Sequence, residues 1–191
     1  PPMPTTRTAL LFGRSAGQRD DFAIEADAAE ACDVESYQVE LQQLLDGADA
    51  LDALPSKPHR FLYRGWMLRA DEHQQLEEAL EERGHALVVS NAAYRAAHLL
   101  PEWYPHLRGA TAKSVWTDEP DVEWLCFLRT HLGAGPGLLK DHVKSAKEAW
   151  HEACFVPAHC SRERFGELCE RLVEERGDRF EGGFVLREFL P

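Results

Sequence analysis

Three lysines follow one another at spacings of four and three residues in the segment Leu138–Trp150, which reads LLKDHVKSAKEAW. Two leucines precede Lys140, so its ammonium group is expected to emerge at the end of a buried strand. Lys144 and Lys147 follow on one helical turn or in a tight loop. Ammonium groups held this close repel one another unless an anion or carboxylates lie among them. A phosphate group would satisfy all three.

The same residues also allow a simpler interpretation. Asp141, Glu148 and Glu152 are close enough in sequence to partner the lysines, which would make the segment a solvated basic turn. Composition alone favours this alternative, so the phosphate hypothesis depends on the surrounding segments.

The C-terminal segment FVLREFLP places Arg187 and Glu188 among apolar residues of a predicted strand, Phe184–Leu190. In isolation this pattern is typical of a partly exposed strand with both charges on the solvent face. Neither common glycine-rich phosphate pattern, GxxxxGK(S/T) or GxGxxG, occurs in the chain. If a nucleotide binds, lysines must therefore hold its phosphates.

A third candidate site follows the first predicted strand, in the turn Gly13–Gly17. In a doubly wound sheet this position faces the ligand, so Arg14 and Ser15 are candidate contacts to an acidic substrate. An ordinary turn between a strand and a helix explains the same residues equally well.

Patterns typical of strands and helices alternate over residues 5–100, and these elements position the N-terminal candidate residues. Asp71 is the expected N-cap of the clearest helix. The predicted strands are Ala9–Phe12, Val34–Val39, Arg60–Arg64 and Ala86–Ser90, and the predicted helices are Asp21–Cys32, Asp71–Arg83 and Asn91–Leu100. This alternation predicts a parallel, doubly wound α/β sheet whose ligands gather beyond the C-terminal strand ends.

The pattern changes after Pro101–Gly109, an aromatic and proline-rich segment that we predict to be a loop whose rings pack rather than bind substrate. The elements predicted beyond it are helices Val122–Leu132 and Ser161–Arg176 and strands Leu138–Asp141, Phe155–Val156 and Phe184–Leu190. Together they predict a small α+β unit, distinct from the first sheet.

Bulk properties restrict the partners. A formal net charge of −12 opposes non-specific binding to nucleic acid or anionic membranes. No apolar run is long enough to span a bilayer or to form a signal-peptide core. The five cysteines are scattered and form no CxxC pair, which indicates free thiols. We therefore expect a soluble cytoplasmic protein that binds neither nucleic acid nor membrane, and its oligomeric state stays open.

Four segments together, FLYRGWML, TAKSVWT, KDHVKSAKEAW and FVLREFLP, resemble the clade of ATP-grasp proteins named for one arginine and two lysines. The resemblance covers essentially the whole chain. It implies a Rossmann-like doubly wound domain over residues 5–108. It also implies the N-terminal, or lid, part of an ATP-grasp domain over residues 109–191, with an α+β fold.

The resemblance assigns ATP-binding roles residue by residue. Lys140 matches the lid-strand lysine that contacts phosphate, and Lys113 occupies the place of a second phosphate-contacting lysine. Lys144 and Ser145 match the lid loop of this clade.

The last strand carries the implied adenine edge. Glu188 and Leu190 match the hinge, where a backbone carbonyl and amide meet the adenine, with Phe189 between them. Arg64 and Arg187 are both candidates for the arginine of the clade. Arg187 joins Lys140 and Lys144 as a predicted catalytic residue, and Arg64 joins Arg14 and Ser15 as a substrate candidate.

The activity implied by the resemblance is an ATP-dependent ligase that uses ATP and Mg²⁺. A small-molecule or peptide carboxylate would form an acyl phosphate that an amine or thiol captures. ATP-grasp enzymes carry their metal-binding carboxylates and asparagine beyond the hinge strand, whereas the given sequence stops at Pro191. We therefore expect an incomplete module with no metal ligand in this chain. The alternative is a non-catalytic ATP-binding, sensing or interaction module.

Overall fold

The computed structural model describes residues 7–14, 22–46 and 50–190. The chain folds into two units, Pro1–Tyr94 and Arg95–Pro191. Ser15 and Pro191 lie outside the described residues.

The N-terminal unit alternates strands with helices. Its elements are β1 (Arg7–Arg14), α1 (Ala23–Ala31), β2 (Ser36–Glu40), α2 (Leu41–Leu45), β3 (His59–Arg64), α3 (Ala70–Glu82), β4 (Ala86–Leu87) and the start of α4 (Asn91–His98). The four strands are parallel and lie in the order β2-β1-β3-β4. The strand order reverses direction between β1 and β3, as in a doubly wound sheet, so the predicted fold class is confirmed here.

Apolar side chains from the central strands and α3 form the core of this unit. Leu11, Phe61, Leu76 and Leu80 are all fully buried. On β3 buried and exposed residues alternate, because successive side chains of a strand point to opposite faces. The short apolar runs of the sequence are therefore strands that bury one or both faces.

The start of α3 differs from prediction. Asp71 is not the N-cap of α3, because the helix begins one residue earlier, at Ala70, and its N-cap is Arg69. The Arg69 amide donates to Glu72 Oε2 at 2.7 Å, which satisfies the backbone at the helix start. Asp71 instead lies in the first turn, where a carboxylate stabilises the helix dipole.

The segment Pro101–Gly109 is largely helical rather than a loop. α4 ends at His98, and a separate helix, α5, spans Leu100–Leu107. Pro101 lies in the first turn of α5, where a missing amide hydrogen costs no helix hydrogen bond. The proline therefore starts a helix at the place where we expected it to end one.

The C-terminal unit contains a second sheet backed by helices. Besides α5, its elements are β5 (Ser114–Trp116), α6 (Val122–Arg129), β6 (Gly137–Asp141), a 3₁₀ turn (Lys147–Ala149), a π-helical turn (Trp150–Cys154), β7 (Phe155–Val156), α7 (Arg162–Arg176), a second 3₁₀ turn (Gly177–Arg179) and β8 (Phe184–Glu188). The strand order is β5-β8-β6-β7, with every pairing antiparallel. The predicted α+β unit is confirmed.

Several predicted elements are longer than the observed ones. The strand predicted over Ala86–Ser90 ends at Leu87, the strand predicted to reach Leu190 ends at Glu188, and the helix predicted to reach Leu132 ends at Arg129. The apolar pattern of the sequence extends beyond the last hydrogen bond of the strand or helix, because residues that follow an element can still pack against the core.

Two observations on the described residues bear on the bulk predictions. All five cysteines are free, as predicted. Within the described ranges, no helix has the length and apolar character needed to cross a membrane.

Replacing Phe61 with alanine is expected to destabilise the N-terminal unit by about 3 to 5 kcal/mol, because the ring is fully buried and its removal leaves a cavity. Leu62 is the matched control: it is the next residue on β3, points to the other face and is 37% exposed. Leu62→Ala should cost under about 1 kcal/mol. Urea unfolding of both variants tests this, and equal losses would contradict the assigned faces.

Candidate functional site

The register of the second sheet places the predicted catalytic groups on one face. Leu138 pairs with Arg187, and Lys140 pairs with Val185. Because side chains alternate along a strand, these four residues share a face. The opposite face carries the residues of β6 and β8 that pack against α6 and α7, including Leu139 and Leu186. Lys140 and Arg187 therefore lie on the sheet face turned away from the core helices.

The pKa of Lys140 lies well below that of a free lysine. Its Nζ donates to the Asp141 carbonyl at 2.6 Å. Burial is the main cause that lowers the pKa of Lys140 to about 8; the Asp141 carboxylate opposes it, and the guanidinium groups of Arg187 and Arg176 act with it. A largely buried ammonium among other cations is poised to gain from an added anion.

Arg187 is held in place by two neighbours from preceding segments. Its guanidinium donates to Thr111 Oγ1, and its Cζ lies 5.5 Å from the centroid of the Trp103 ring. Trp103 belongs to α5, and the next residue, Tyr104, accepts the Ser114 amide at 3.0 Å. The helix that the sequence did not predict therefore supports the β8 arginine.

The lid turn, Asp141–Ser145, follows directly from β6 and is organised by Asp141. Asp141 Oδ1 accepts from the amides of Val143 at 2.7 Å and Lys144 at 2.5 Å, and the Asp141 amide donates to the Lys144 carbonyl at 3.0 Å. Asp141 Oδ2 accepts from Arg176 Nε at 2.8 Å. The lid turn is thus a tight turn closed by one carboxylate, and Lys144 projects from it exposed.

His142 fixes the other side of the lid turn. Its Nε2 lies 2.8 Å from the Thr117 carbonyl and 3.0 Å from the Gly183 amide, and its backbone carbonyl accepts the Leu100 amide at 2.9 Å. A Cβ on Gly183 would lie 2.0 Å from the Thr117 carbonyl oxygen. A glycine is therefore required where β8 begins beside His142.

The predicted hinge continues from β8 along the edge of the sheet. The Glu188 amide donates to the Lys113 carbonyl at 2.8 Å, and the Phe189 amide donates to the Pro136 carbonyl at 3.1 Å. The Phe189 ring packs edge-on against Phe155 at 5.5 Å, whereas Leu190 is 61% exposed. The hinge backbone is therefore fixed up to Phe189.

An open groove of about 650 Å³ lies beside the hinge. Leu138 and Arg187 are among its lining residues, and the hinge residues Glu188–Leu190 and the segment Gly109–Ala112 complete it. Pockets for drug-sized ligands have volumes of about 300 to 1,000 Å³. The groove is thus large enough for a nucleoside and is continuous with the face that bears Lys140.

The remaining predicted ATP contacts lie around this groove and turn. Lys113 immediately precedes β5, is exposed, and its backbone is bonded to the hinge residue Glu188. Ser145 is partly buried and lies near the Cys154 thiol. Burial raises the pKa of this thiol, and the serine side chain opposes that shift. The structure therefore brings the predicted hinge, lid-strand and lid-loop residues together in one unit.

The substrate candidates lie in the N-terminal unit. Arg14 ends β1 and Arg64 ends β3, two strands that pair directly where the sheet order reverses. Arg64 forms a bidentate pair with Glu25, through hydrogen bonds of 2.7 Å each. Both arginines thus lie at the edge of the sheet where doubly wound proteins bind ligands.

Sequence reasoning missed the residues that support the site. Asp141 was interpreted only as a partner for the lysines, and Thr111 and the segment Gly109–Ala112 carried no motif. A signal was available for Asp141, since an aspartate side chain often accepts a hydrogen bond from the backbone amide two residues later and so closes a turn. No comparable signal identifies Thr111, which meets Arg187 only through tertiary structure.

A parallel doubly wound unit followed by an antiparallel sheet with helices on one face is the arrangement found in ATP-grasp proteins. The fold matches the RimK domain ATP-grasp protein of Sphaerobacter thermophilus with a TM-score of 0.60 and 19% identity, covering 97% of this chain and 64% of that one. It matches D-cycloserine synthetase DcsG with a TM-score of 0.59 and 12% identity, covering 95% and 59%.

A third match is D-alanyl-alanine synthetase A from Vibrio cholerae, with a TM-score of 0.56 and 13% identity, covering 96% of this chain and 59% of that one. The chain therefore spans less than two thirds of the length of each of these three proteins. No curated protein matches it in sequence.

The match in sequence covers a shorter part of the chain than the match in fold. Residues 131–191, which contain the lid strand, the lid turn and the hinge, match the ATP-grasp domain model for family 3 of the clade named for one arginine and two lysines. The predicted resemblance to the ATP-grasp superfamily is confirmed, in sequence over residues 131–191 for this clade and in fold alone over the rest of the chain.

Affinity for ATP is expected to fall as the pH rises through about 8, the pKa of Lys140 in the free protein. A bound phosphate favours the ammonium form, so binding takes up a proton wherever this lysine is neutral, and affinity declines by up to about tenfold per pH unit above its pKa. Calorimetric titration between about pH 6.5 and 9.5 measures this. Lys140→Arg stays charged and should lose the slope; a flat wild-type profile would contradict the assignment.

Proposed function

We propose that the protein binds ATP in the groove beside Glu188–Leu190 and forms the lid part of an ATP-dependent ligase that joins a carboxylate to an amine or thiol. The observation that supports this most directly is the placement of Lys140. Its largely buried ammonium shares a sheet face with Arg187, and Arg187 lines the groove together with the predicted adenine edge.

The groove and the charges suit the two ends of a nucleotide. Apolar Leu138 and the fixed backbone of the hinge offer a surface and hydrogen-bonding groups for a purine. Lys140 and Arg187 are fixed cations, and Lys144 projects from the adjacent lid turn. In a chain of net charge −12, such a local concentration of positive groups gives a polyphosphate a specific place to bind.

In the proposed chemistry these residues stabilise charge and form no covalent bond. Phosphoryl transfer spreads negative charge over the transferred group and its leaving oxygen, and preorganised cations lower the barrier most when they need not move. Lys140 and Arg187 meet this condition, because each is already held by neighbours. We assign Lys113, Lys144 and Ser145 to phosphate contacts around them.

Mg²⁺, when bound with ATP, would supply further charge neutralisation. The described residues contain no group of three histidine, cysteine, aspartate or glutamate side chains placed to hold a metal ion. No step of the proposal depends on a metal ion held by these residues alone.

The substrate end of the proposal concerns the N-terminal unit. We assign the carboxylate substrate, a small molecule or a peptide, to the edge of the first sheet where Arg14 and Arg64 lie, together with Ser15 from the sequence prediction. The functional division into residues 5–108 and 109–191, and a cytoplasmic location with access to ATP, belong to the same proposal.

Lys140→Ala is expected to weaken ATP binding at least tenfold, because a charge-assisted hydrogen bond contributes about 1.5 to 3 kcal/mol. ATP at about 100 times its Kd should stabilise the wild type by about 2.7 kcal/mol, which is a rise in Tm of about 5 to 11 °C. At the same ATP concentration, a tenfold weaker Kd leaves about 1.4 kcal/mol, so the variant should show about half of this rise or less. Lys57→Ala is the control, since that lysine is exposed and lies in the N-terminal unit; equal losses in both variants would refute the assigned site.

Turnover needs a separate measurement. Release of ADP that depends on Mg²⁺, on a carboxylate and on an amine or thiol supports the ligase. If ATP binds with unchanged affinity without Mg²⁺ and no ADP forms with any acceptor, the ligase is wrong and the ATP-binding or sensing module is the better explanation.

A further inference from the structure

Asp141 is a charged residue that the proposed chemistry leaves unused. Its side chain is fully buried, yet both carboxylate oxygens are engaged: Oδ1 by the amides of Val143 and Lys144, and Oδ2 by Arg176 Nε. A buried carboxylate is tolerated only when donors satisfy it in this way. The sequence therefore maintains a costly group at the first position of the lid turn.

The carboxylate cannot contact a nucleotide on the proposed face. Asp141 pairs with Phe184, so its side chain lies on the sheet face that packs against α7, opposite to that of Lys140. Its partner Arg176 is the last residue of α7, and its side chain is only 16% exposed. A role for Asp141 must therefore act through other residues.

The residue on which Asp141 acts most directly is Lys144. The Lys144 side chain is exposed, so the place of its ammonium depends on where the backbone starts it. Two hydrogen bonds with Asp141 set that backbone: the Lys144 amide donates to Asp141 Oδ1, and the Asp141 amide donates to the Lys144 carbonyl. The Arg176 guanidinium also donates to the Arg179 carbonyl at 2.8 Å, and this second hydrogen bond fixes the position of the guanidinium at the end of α7.

We propose that Asp141 is a positioning residue which, anchored by Arg176, holds the lid turn so that Lys144 projects from it toward bound phosphate. The inference rests on the proposed ATP site. It adds that the end of α7 and the phosphate-contacting lysine are mechanically coupled through one buried ion pair.

Asp141→Asn tests the anchor with little change of shape. The asparagine Oδ1 can still accept from both turn amides, but its NH₂ group then faces the Arg176 donor, so the anchor is lost. We expect affinity for ATP to fall about tenfold, which is the loss of one charge-assisted contact. Adenosine, which reaches only the hinge, should bind as to the wild type. Calorimetry for ATP and ligand-observed NMR for adenosine measure the two constants.

Variants on α7 provide the matched set. Arg176→Gln should reproduce the loss for ATP, and Arg176→Lys, which keeps the charge, should restore part of the affinity. Arg171→Gln is the control, because Arg171 lies on the same helix but pairs with exposed Glu174 and Glu175. It should bind both ligands as the wild type does. If Asp141→Asn does not fold, the two Arg176 variants decide the question.

The outcomes separate the two proposals. If the wild type does not bind ATP, or if Lys140→Ala binds it as well as the wild type, the ATP site itself is wrong. If Lys140→Ala weakens ATP binding but Asp141→Asn and Arg176→Gln do not, the positioning role is overturned. An equal loss for ATP and adenosine overturns it too, because that pattern indicates a general structural defect.

Discussion

Strand β6 ends with two opposite charges on consecutive residues, and the organisation of the C-terminal unit depends on how each is accommodated. Because neighbouring side chains of a strand point to opposite faces, Lys140 turns toward the face that carries Arg187, and Asp141 turns toward α6 and α7. Arg176 from α7 donates a hydrogen bond to the Asp141 carboxylate there. On its own face Lys140 lies among further cations, and no carboxylate of the described residues forms an ion pair with it.

The two charges have opposite consequences for stability. The carboxylate is fully satisfied, so it fixes the turn that follows it. The ammonium is under-compensated, as its lowered pKa shows, and each unit of such a shift corresponds to about 1.4 kcal/mol that favours its neutral form. A group that destabilises the free protein but gains from an added anion is typical of a binding site. Arg187 lines the groove, and neighbouring side chains hold it in place.

The matched ATP-grasp proteins share the fold of this chain, and local geometry explains how its segments meet at the lid turn. A glycine at position 183 and a histidine at position 142 allow three segments to meet at the lid turn. Helix α5, a proline-containing segment, supplies Trp103 to Arg187 and Tyr104 to Ser114, two residues that pair with each other at one end of the β5–β8 ladder.

The sequence by itself determined the fold class and the groups capable of phosphate chemistry. Apolar periodicity located β6, β7 and α7 closely, and Lys140, Arg187 and the hinge were predicted from a local motif, because burial pattern and motif are properties of neighbouring residues. The proline-rich helix α5 and the anchoring of Asp141 by Arg176 were decided by the tertiary structure. A helix that begins at a proline is stabilised by the sheet on which it packs, and a carboxylate that joins a turn to the end of α7 does so across 35 positions of sequence. Such contacts depend on which segments meet in space, and no local pattern specifies that.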